Sequence, residues 1–145
     1  MSRAFLFERR VEFCETDAAG IAHFSSLIIY MEQAEHALLR SLGLSVAAAL
    51  TSQPTLDSSP SYSWPRVSVE CNFQSPAKFE DMIHVQTSIE KLGTKSVTFQ
   101  HRLMIGEVQV AFGKMTSVCC TFRDSSLVGI PIPANMREQL QPFVD

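Results

Sequence analysis

The stretch Leu27-Ile28-Ile29-Tyr30-Met31 begins the most informative segment of this sequence, because it is apolar at every position of more than one helical turn. Apolar residues continue after it at spacings of three and four, which predicts an α-helix that ends at Gly43. Ser25 or Ser26 is the predicted N-cap. A helix that starts with apolar residues on all faces needs cover on all faces, so we expect the rest of the chain to enclose its start.

Alternation of apolar and polar residues on both sides of this helix predicts β-strands. One strand is predicted before it, over residues 5–13, and others over residues 67–73, 83–89, 97–105 and 108–122, with a bulge at Gly113. In strand 67–73 the apolar set is Val67, Val69, Cys71 and Phe73. Residues 46–50 are predicted to be a short helical piece, residues 54–61 a loop, and residues 135–140 a terminal helical turn.

The order of strand, helix, long loop and four strands joined by short turns predicts an α+β fold. One antiparallel five-stranded sheet would wrap around a long central helix, and residues 1–145 would form a single domain. Phe99, Phe112 and the apolar helix start offer more apolar surface than one helix can cover. We therefore expect a homodimer or a homotetramer.

Composition excludes several classes of function. The chain has 145 residues, 46% of them hydrophobic and 19% charged, and its net charge of -3 gives no general attraction to nucleic acid or to an anionic membrane. No apolar run is long enough to span a membrane, and the first residues lack the pattern of a secretory signal. The four cysteines show no C-x-x-C spacing, which favours reduced thiols in a cytoplasmic protein over a disulfide framework or a zinc site.

The segment Phe13-Cys14-Glu15-Thr16-Asp17-Ala18-Ala19-Gly20-Ile21-Ala22-His23-Phe24, with the helix that follows, resembles the hotdog-fold acyl-CoA thioesterases of the 4-hydroxybenzoyl-CoA thioesterase and YbgC type. The most specific feature is the Thr-Asp-x-x-Gly turn between the first strand and the helix, although the resemblance extends over nearly the whole chain. It implies hydrolysis of an acyl-CoA to a free acid and CoA, with no metal and no cofactor.

The resemblance also implies the site residues. Asp17 matches the family's catalytic carboxylate, which acts as a general base on water or as a nucleophile, and His23 is the nearest side-chain donor for the oxyanion. Gly20, Phe24 and Ser26 would contact the substrate. The sequence departs from the Tyr-His-x-Asn pattern of many YbgC-type members, since it has His23-Phe24-Ser25-Ser26 at the matching place.

Alternatives stand beside each of these assignments. Asp17 can simply accept a hydrogen bond within its own turn, and His23 can be a packed or capping residue. The departures from the family pattern favour, as a second hypothesis, a hotdog module that binds acyl-CoA without hydrolysing it. A third hypothesis is a purely structural role. A hotdog hydratase needs a histidine and a carboxylate facing the enoyl carbon, and the sequence contains no evident pair of this kind.

Overall fold

The computed structural model describes residues 2–44 and 62–145. The helices and strands are β1 Phe5–Arg10, α1 Phe24–Ser41, β2 Arg66–Phe73, β3 Met82–Leu92, β4 Ser96–Ile105, β5 Val108–Val118, β6 Cys120–Arg123, β7 Ser126–Gly129 and α2 Ala134–Leu140. One sheet has the order β1-β3-β4-β5-β2 with all neighbours antiparallel, and β6 pairs with β7 in a separate ribbon. The prediction of an antiparallel five-stranded sheet is confirmed. The predicted helical piece at 46–50 and loop at 54–61 lie outside the described residues.

The alternating pattern places the apolar side chains of the central strands on the face that α1 covers. In β3 and β4 every second residue is buried: Ile83, Val85, Thr87, Ile89, Val97, Phe99, His101 and Leu103. The 18-residue helix α1 packs mainly over β1, β3 and β5. Two core clusters result, one beneath the first half of α1 and the other joining its second half to α2. Phe99 is therefore core, and it does not contribute to an open apolar surface as the sequence analysis expected.

The ends of α1 show which cap predictions hold. Gly43 has φ of 73°, its N–H donates to the Arg40 carbonyl, and the Leu44 N–H donates to the Leu39 carbonyl. This is the Schellman ending, and it explains the need for glycine at that position. At the other end the N-cap is His23, so the prediction of Ser25 or Ser26 is wrong. An imidazole nitrogen does here what a serine hydroxyl usually does.

Two apolar surfaces of the structure are open, and one of them is the helix start that we expected to be enclosed on all faces. Leu27, Tyr30 and Met31 are buried, but Phe24 is 57% exposed and Ile29 is 48% exposed, so the helix start is enclosed on one side only. In β2 three of the alternating apolar residues, Val67, Val69 and Phe73, are exposed. β2 is an edge strand that pairs only with β5 among the described strands, and it lies beyond the strands on which α1 mainly packs.

The last predicted strand is divided in two at Cys119, whose N–H donates to the Lys95 carbonyl. Gly113 does not form the predicted bulge, because the pairing with both neighbouring strands runs through it without a shift, opposite Cys71 and His101. The glycine is required by close approach instead. A Cβ at this position would lie 2.8 Å from Met31 Cε and 2.9 Å from the Glu70 carbonyl oxygen.

We expect Gly113→Ala to lower the free energy of unfolding by about 1–3 kcal/mol, because the added methyl group pushes against a backbone carbonyl that the sheet holds in place. The matched control is Gly129→Ala, where the nearest atom to an added Cβ is 3.7 Å away, an ordinary contact. Urea denaturation of the two variants measures the difference. Equal midpoints for the two variants would contradict the packing argument.

Candidate active site

A tight loop between β1 and α1 holds Asp17. Thr16 pairs with Ala22, the Asp17 N–H donates to the Ile21 carbonyl at 2.8 Å, and the Gly20 N–H donates to the Asp17 carbonyl at 3.0 Å. Gly20 has φ of 79°, a conformation that disfavours residues with a Cβ. The alternative proposed for the aspartate is also present, because Asp17 Oδ1 accepts the Ala19 N–H at 2.8 Å. Within the described residues, that is the one hydrogen bond that the carboxylate makes.

The half-buried Asp17 lines a cavity of about 580 Å³. The other residues around this cavity come from the loop, from the start of α1 and from the segment after β2; they are Ile21, Ala22, Phe24, Leu27, Phe73, Gln74, Ser75, Pro76 and Ala77. Most of these side chains are apolar. The rings of Phe24 and Phe73 pack edge to face, with 6.2 Å between their centroids. One carboxylate therefore faces a mostly apolar space of the size that small-molecule ligands occupy.

The first turn of α1 borders the same cavity through Phe24, the first residue of the helix. The first amides of any α-helix have no partner within the helix, and they carry the positive end of its dipole. His23 caps this end: its Nδ1 accepts the Ser25 N–H at 3.2 Å and lies 2.7 Å from Ser25 Oγ. The cavity thus has a carboxylate on one wall and the amide end of a helix on another.

The sequence-predicted residues lie near one another but in different roles. Asp17 and Phe24 border the cavity, whereas His23, Gly20 and Ser26 are not among its lining residues. His23 is exposed and caps α1, Gly20 forms the turn, and Ser26 is buried with its Oγ donating to the Glu15 carbonyl at 2.9 Å.

The segment from Phe73 to Ala77 was not predicted to belong to the site. It reaches Asp17 because the Ala22 N–H donates to the Ala77 carbonyl at 2.7 Å and Ile21 pairs with Lys78. The only local signal in the sequence is Pro76, three residues after the end of β2, because a proline there indicates that the strand does not continue.

Within residues 2–44 and 62–145, no group of three or more His, Cys, Asp or Glu side chains is arranged to hold a metal ion. The helices described there include none that is long and apolar enough to cross a membrane.

The chain is similar to known proteins both in sequence and in fold. Residues 19–112 match the family model of the thioesterase superfamily, a match that begins just after Asp17. A solved structure of a gentisyl-coenzyme A thioesterase is 29% identical with a TM-score of 0.76, covering 91% of this chain and 98% of that chain. A 1,4-dihydroxy-2-naphthoyl-CoA hydrolase of Synechococcus sp. (strain CC9311) is 25% identical over 129 residues, 89% of this chain and 85% of that protein. A 1,4-dihydroxy-2-naphthoyl-CoA thioesterase from Synechocystis, 20% identical and covering 96% of both chains, has the same fold with a TM-score of 0.80. The hotdog fold expected from the resemblance is confirmed.

Proposed function

The chain belongs to the thioesterase superfamily, and from that premise we propose that it hydrolyses an acyl-CoA thioester to a free acid and CoA, with the Asp17 carboxylate driving the attack. The observation that carries this proposal is that Asp17 and the amide end of α1 border one mostly apolar cavity. The carboxylate can activate a nucleophile there, and the Phe24 N–H, the first amide of α1, can stabilise the negative charge that develops on the carbonyl oxygen.

In the general-base form of the reaction, Asp17 takes a proton from water while the water oxygen bonds to the thioester carbonyl carbon. The carbonyl oxygen becomes an oxyanion next to the Phe24 N–H, the first amide of α1. The carbon–sulfur bond then breaks and CoA leaves as a thiolate. The proton on Asp17 passes to the sulfur or to solvent, which restores the carboxylate.

His23 is proposed as a second donor to the oxyanion. Its Nδ1 accepts the Ser25 N–H, so the neutral ring carries its proton on Nε2. That N–H is available to a carbonyl oxygen at the mouth of the cavity, because His23 is exposed beside Phe24. Gly20 and Ser26, which the resemblance implies are substrate-binding, contribute in this proposal by shaping the loop.

The acyl group is proposed to be aromatic. The two rings at the cavity, Phe24 and Phe73, offer an edge and a face to a flat group, and aromatic pairs of this kind gain about 0.5–1.5 kcal/mol beyond the area they bury. Two of the similar proteins act on gentisyl-CoA and on 1,4-dihydroxy-2-naphthoyl-CoA by their names, and both acyl groups are aromatic.

The test is CoA thiol release over a panel of acyl-CoA esters, with binding of the same esters followed by calorimetry. We expect kcat/KM for an aromatic ester such as benzoyl-CoA to be about tenfold or more above kcat/KM for acetyl-CoA. One or two well-placed apolar contacts account for a ratio of this size. Saturable binding without thiol release would support the acyl-CoA-binding module instead. Neither binding nor release would indicate a structural role.

Residues 1–145 are proposed to form one domain of this type. The homodimer or homotetramer and the cytoplasmic location expected from the sequence stay predictions. The exposed apolar residues Val67 and Val69 on the edge strand and Ile29 on α1 support self-association.

A further inference from the structure

Glu15, two residues before Asp17, makes polar contacts with β1, with the loop and with α1. Its carbonyl oxygen accepts the His23 N–H and Ser26 Oγ, both at 2.9 Å. Its carboxylate Oε1 accepts the Tyr30 hydroxyl at 2.9 Å, and its Oε2 lies 2.7 Å from the Arg9 guanidinium. The residue therefore links β1, the Asp17 loop and the first two turns of α1.

The two partners on α1 are suited to this task by their spacing. Ser26 and Tyr30 are four residues apart, so both point from the same face of the helix toward Glu15. Tyr30 has no exposed surface, and the Glu15 side chain is 14% exposed. The Arg9 guanidinium carbon lies 5.1 Å from the centroid of the Tyr30 ring. Its Nε donates to Gln33 Oε1 at 2.9 Å, so the guanidinium is held from a second side.

The electrostatics keep the phenol as the donor in this contact. Burial, and then the hydrogen bond to Glu15, raise the pKa of Tyr30 well above its usual value of 10. A hydroxyl donating to an ionised carboxylate out of bulk water is stronger than a neutral hydrogen bond. The Tyr30 hydroxyl thus keeps its proton at neutral pH and donates it to Glu15 in the hydrogen bond between helix and loop.

We propose that Glu15 and Tyr30 are positioning residues, which fix the Asp17 carboxylate at a set separation from the Phe24 N–H at the start of α1. The inference rests on the proposed function. Neither residue borders the cavity, so each acts through the loop and does not touch the acyl group. Because attack on the carbonyl needs the base and the oxyanion donors aligned at once, an error of about 1 Å in their separation can cost up to a hundredfold in rate.

Tyr30→Phe removes only the hydroxyl group. We expect kcat for acyl-CoA hydrolysis to fall about tenfold to a hundredfold, with KM within about twofold of the wild-type value, because the binding cavity is unchanged. Ile89→Val is the control: Ile89 is fully buried in the second core cluster, and the variant loses stability without touching the loop. Its kcat should match the wild type at a temperature where both variants are folded.

A second pair of variants separates the hydrogen bond from the charge. Glu15→Gln keeps an oxygen acceptor for the Tyr30 hydroxyl, whereas Glu15→Ala removes it, so the glutamine variant should retain the larger share of kcat. Equal losses in both, or a kcat in Tyr30→Phe equal to that of Ile89→Val, would overturn the inference while wild-type turnover and its loss in Asp17→Asn leave the proposed function standing. A wild-type protein without turnover would overturn the proposed function and this inference together.

Discussion

Asp17→Asn should lower kcat for acyl-CoA hydrolysis by about a hundredfold to ten-thousandfold, the usual contribution of a positioned general base. The amide is the same size, and its oxygen can still accept the Ala19 N–H, so the loop and the cavity should keep their shape. KM should therefore change little. Thiol release from the best ester of the panel measures both constants, and thermal unfolding of the variant checks that its stability is unchanged.

Asp81→Asn is a matched control for this variant. Asp81 is also half-buried in a turn and accepts one backbone N–H, that of Lys78, at 2.8 Å, but it does not border the cavity. Its asparagine variant should have wild-type kcat. If the two variants have the same activity, the carboxylate in the Thr-Asp-x-x-Gly turn has only the structural role of closing its turn.

An isotope-labelling experiment on the wild-type protein tests which chemical role Asp17 has. A single turnover in ¹⁸O-labelled water places the label in the released acid if Asp17 acts as a base. If the carboxylate attacks the thioester itself, CoA thiolate leaves and a mixed anhydride forms; hydrolysis at its Asp17 carbonyl puts the label into the protein, so label in Asp17 identifies the nucleophile role. Mass analysis of the peptide that contains Asp17 reads the outcome.

Much of the fold could be predicted because it depends on local patterns. The alternation in β3 and β4 and the glycine ending of α1 are local signals, and each corresponds to the structure. β2 alternates just as regularly, but its residues Val67, Val69 and Phe73 are exposed because α1 packs mainly over β1, β3 and β5. Alternation predicts a strand and its two faces; strand order decides whether either face is covered.

The candidate site divides in the same way. Asp17 and the helix start are close in sequence, so the turn itself indicated them. The segment from Phe73 to Ala77 enters through hydrogen bonds between residues more than fifty positions apart, which no local pattern encodes. The sequence shows Glu15 only as a polar residue beside a turn and Tyr30 only as part of an apolar helix start. Their shared role follows from the hydrogen bond between the Tyr30 hydroxyl and Glu15 Oε1, at 2.9 Å.

A buried ion pair away from the cavity should make a pH-dependent contribution to stability. Glu35 on α1 is 2% exposed, and its Oε2 lies 2.6 Å from the guanidinium of Arg66, which also donates to Ser117 Oγ at 3.0 Å and lies 3.4 Å from Glu32. Burial raises the pKa of Glu35 to about 7, against the lowering effect of Arg66. The folded protein therefore binds this proton more tightly than the unfolded chain does.

Arg66→Met should lower the free energy of unfolding at pH 8 by about 3–5 kcal/mol, because it leaves the Glu35 carboxylate buried without its partner. Methionine keeps the apolar stem of the arginine side chain, so the loss reports the guanidinium and not the packing. Urea denaturation at pH 8 measures it. In a chain of this length the melting temperature should fall by roughly 10 °C.

The pH dependence follows from the raised pKa of Glu35. The stability that goes with its protonated form is present below the unfolded value near 4.5 and is lost as the pH rises through about 7, so this contribution falls over that interval. The buried His101, whose pKa burial lowers to about 3, makes a contribution that rises with pH up to the unfolded histidine value of 6.5. Removing Arg66 removes a group that lowers this pKa. The loss of unfolding free energy in Arg66→Met should therefore be smaller at pH 5 than at pH 8.

In a Glu35→Gln background no buried carboxylate remains to lose its partner. The same Arg66→Met substitution should then lower the free energy of unfolding much less, and by an amount that does not depend on pH. A penalty independent of both pH and Glu35 would mean that Arg66 stabilises the fold through Ser117 and Glu32, and not through the buried pair.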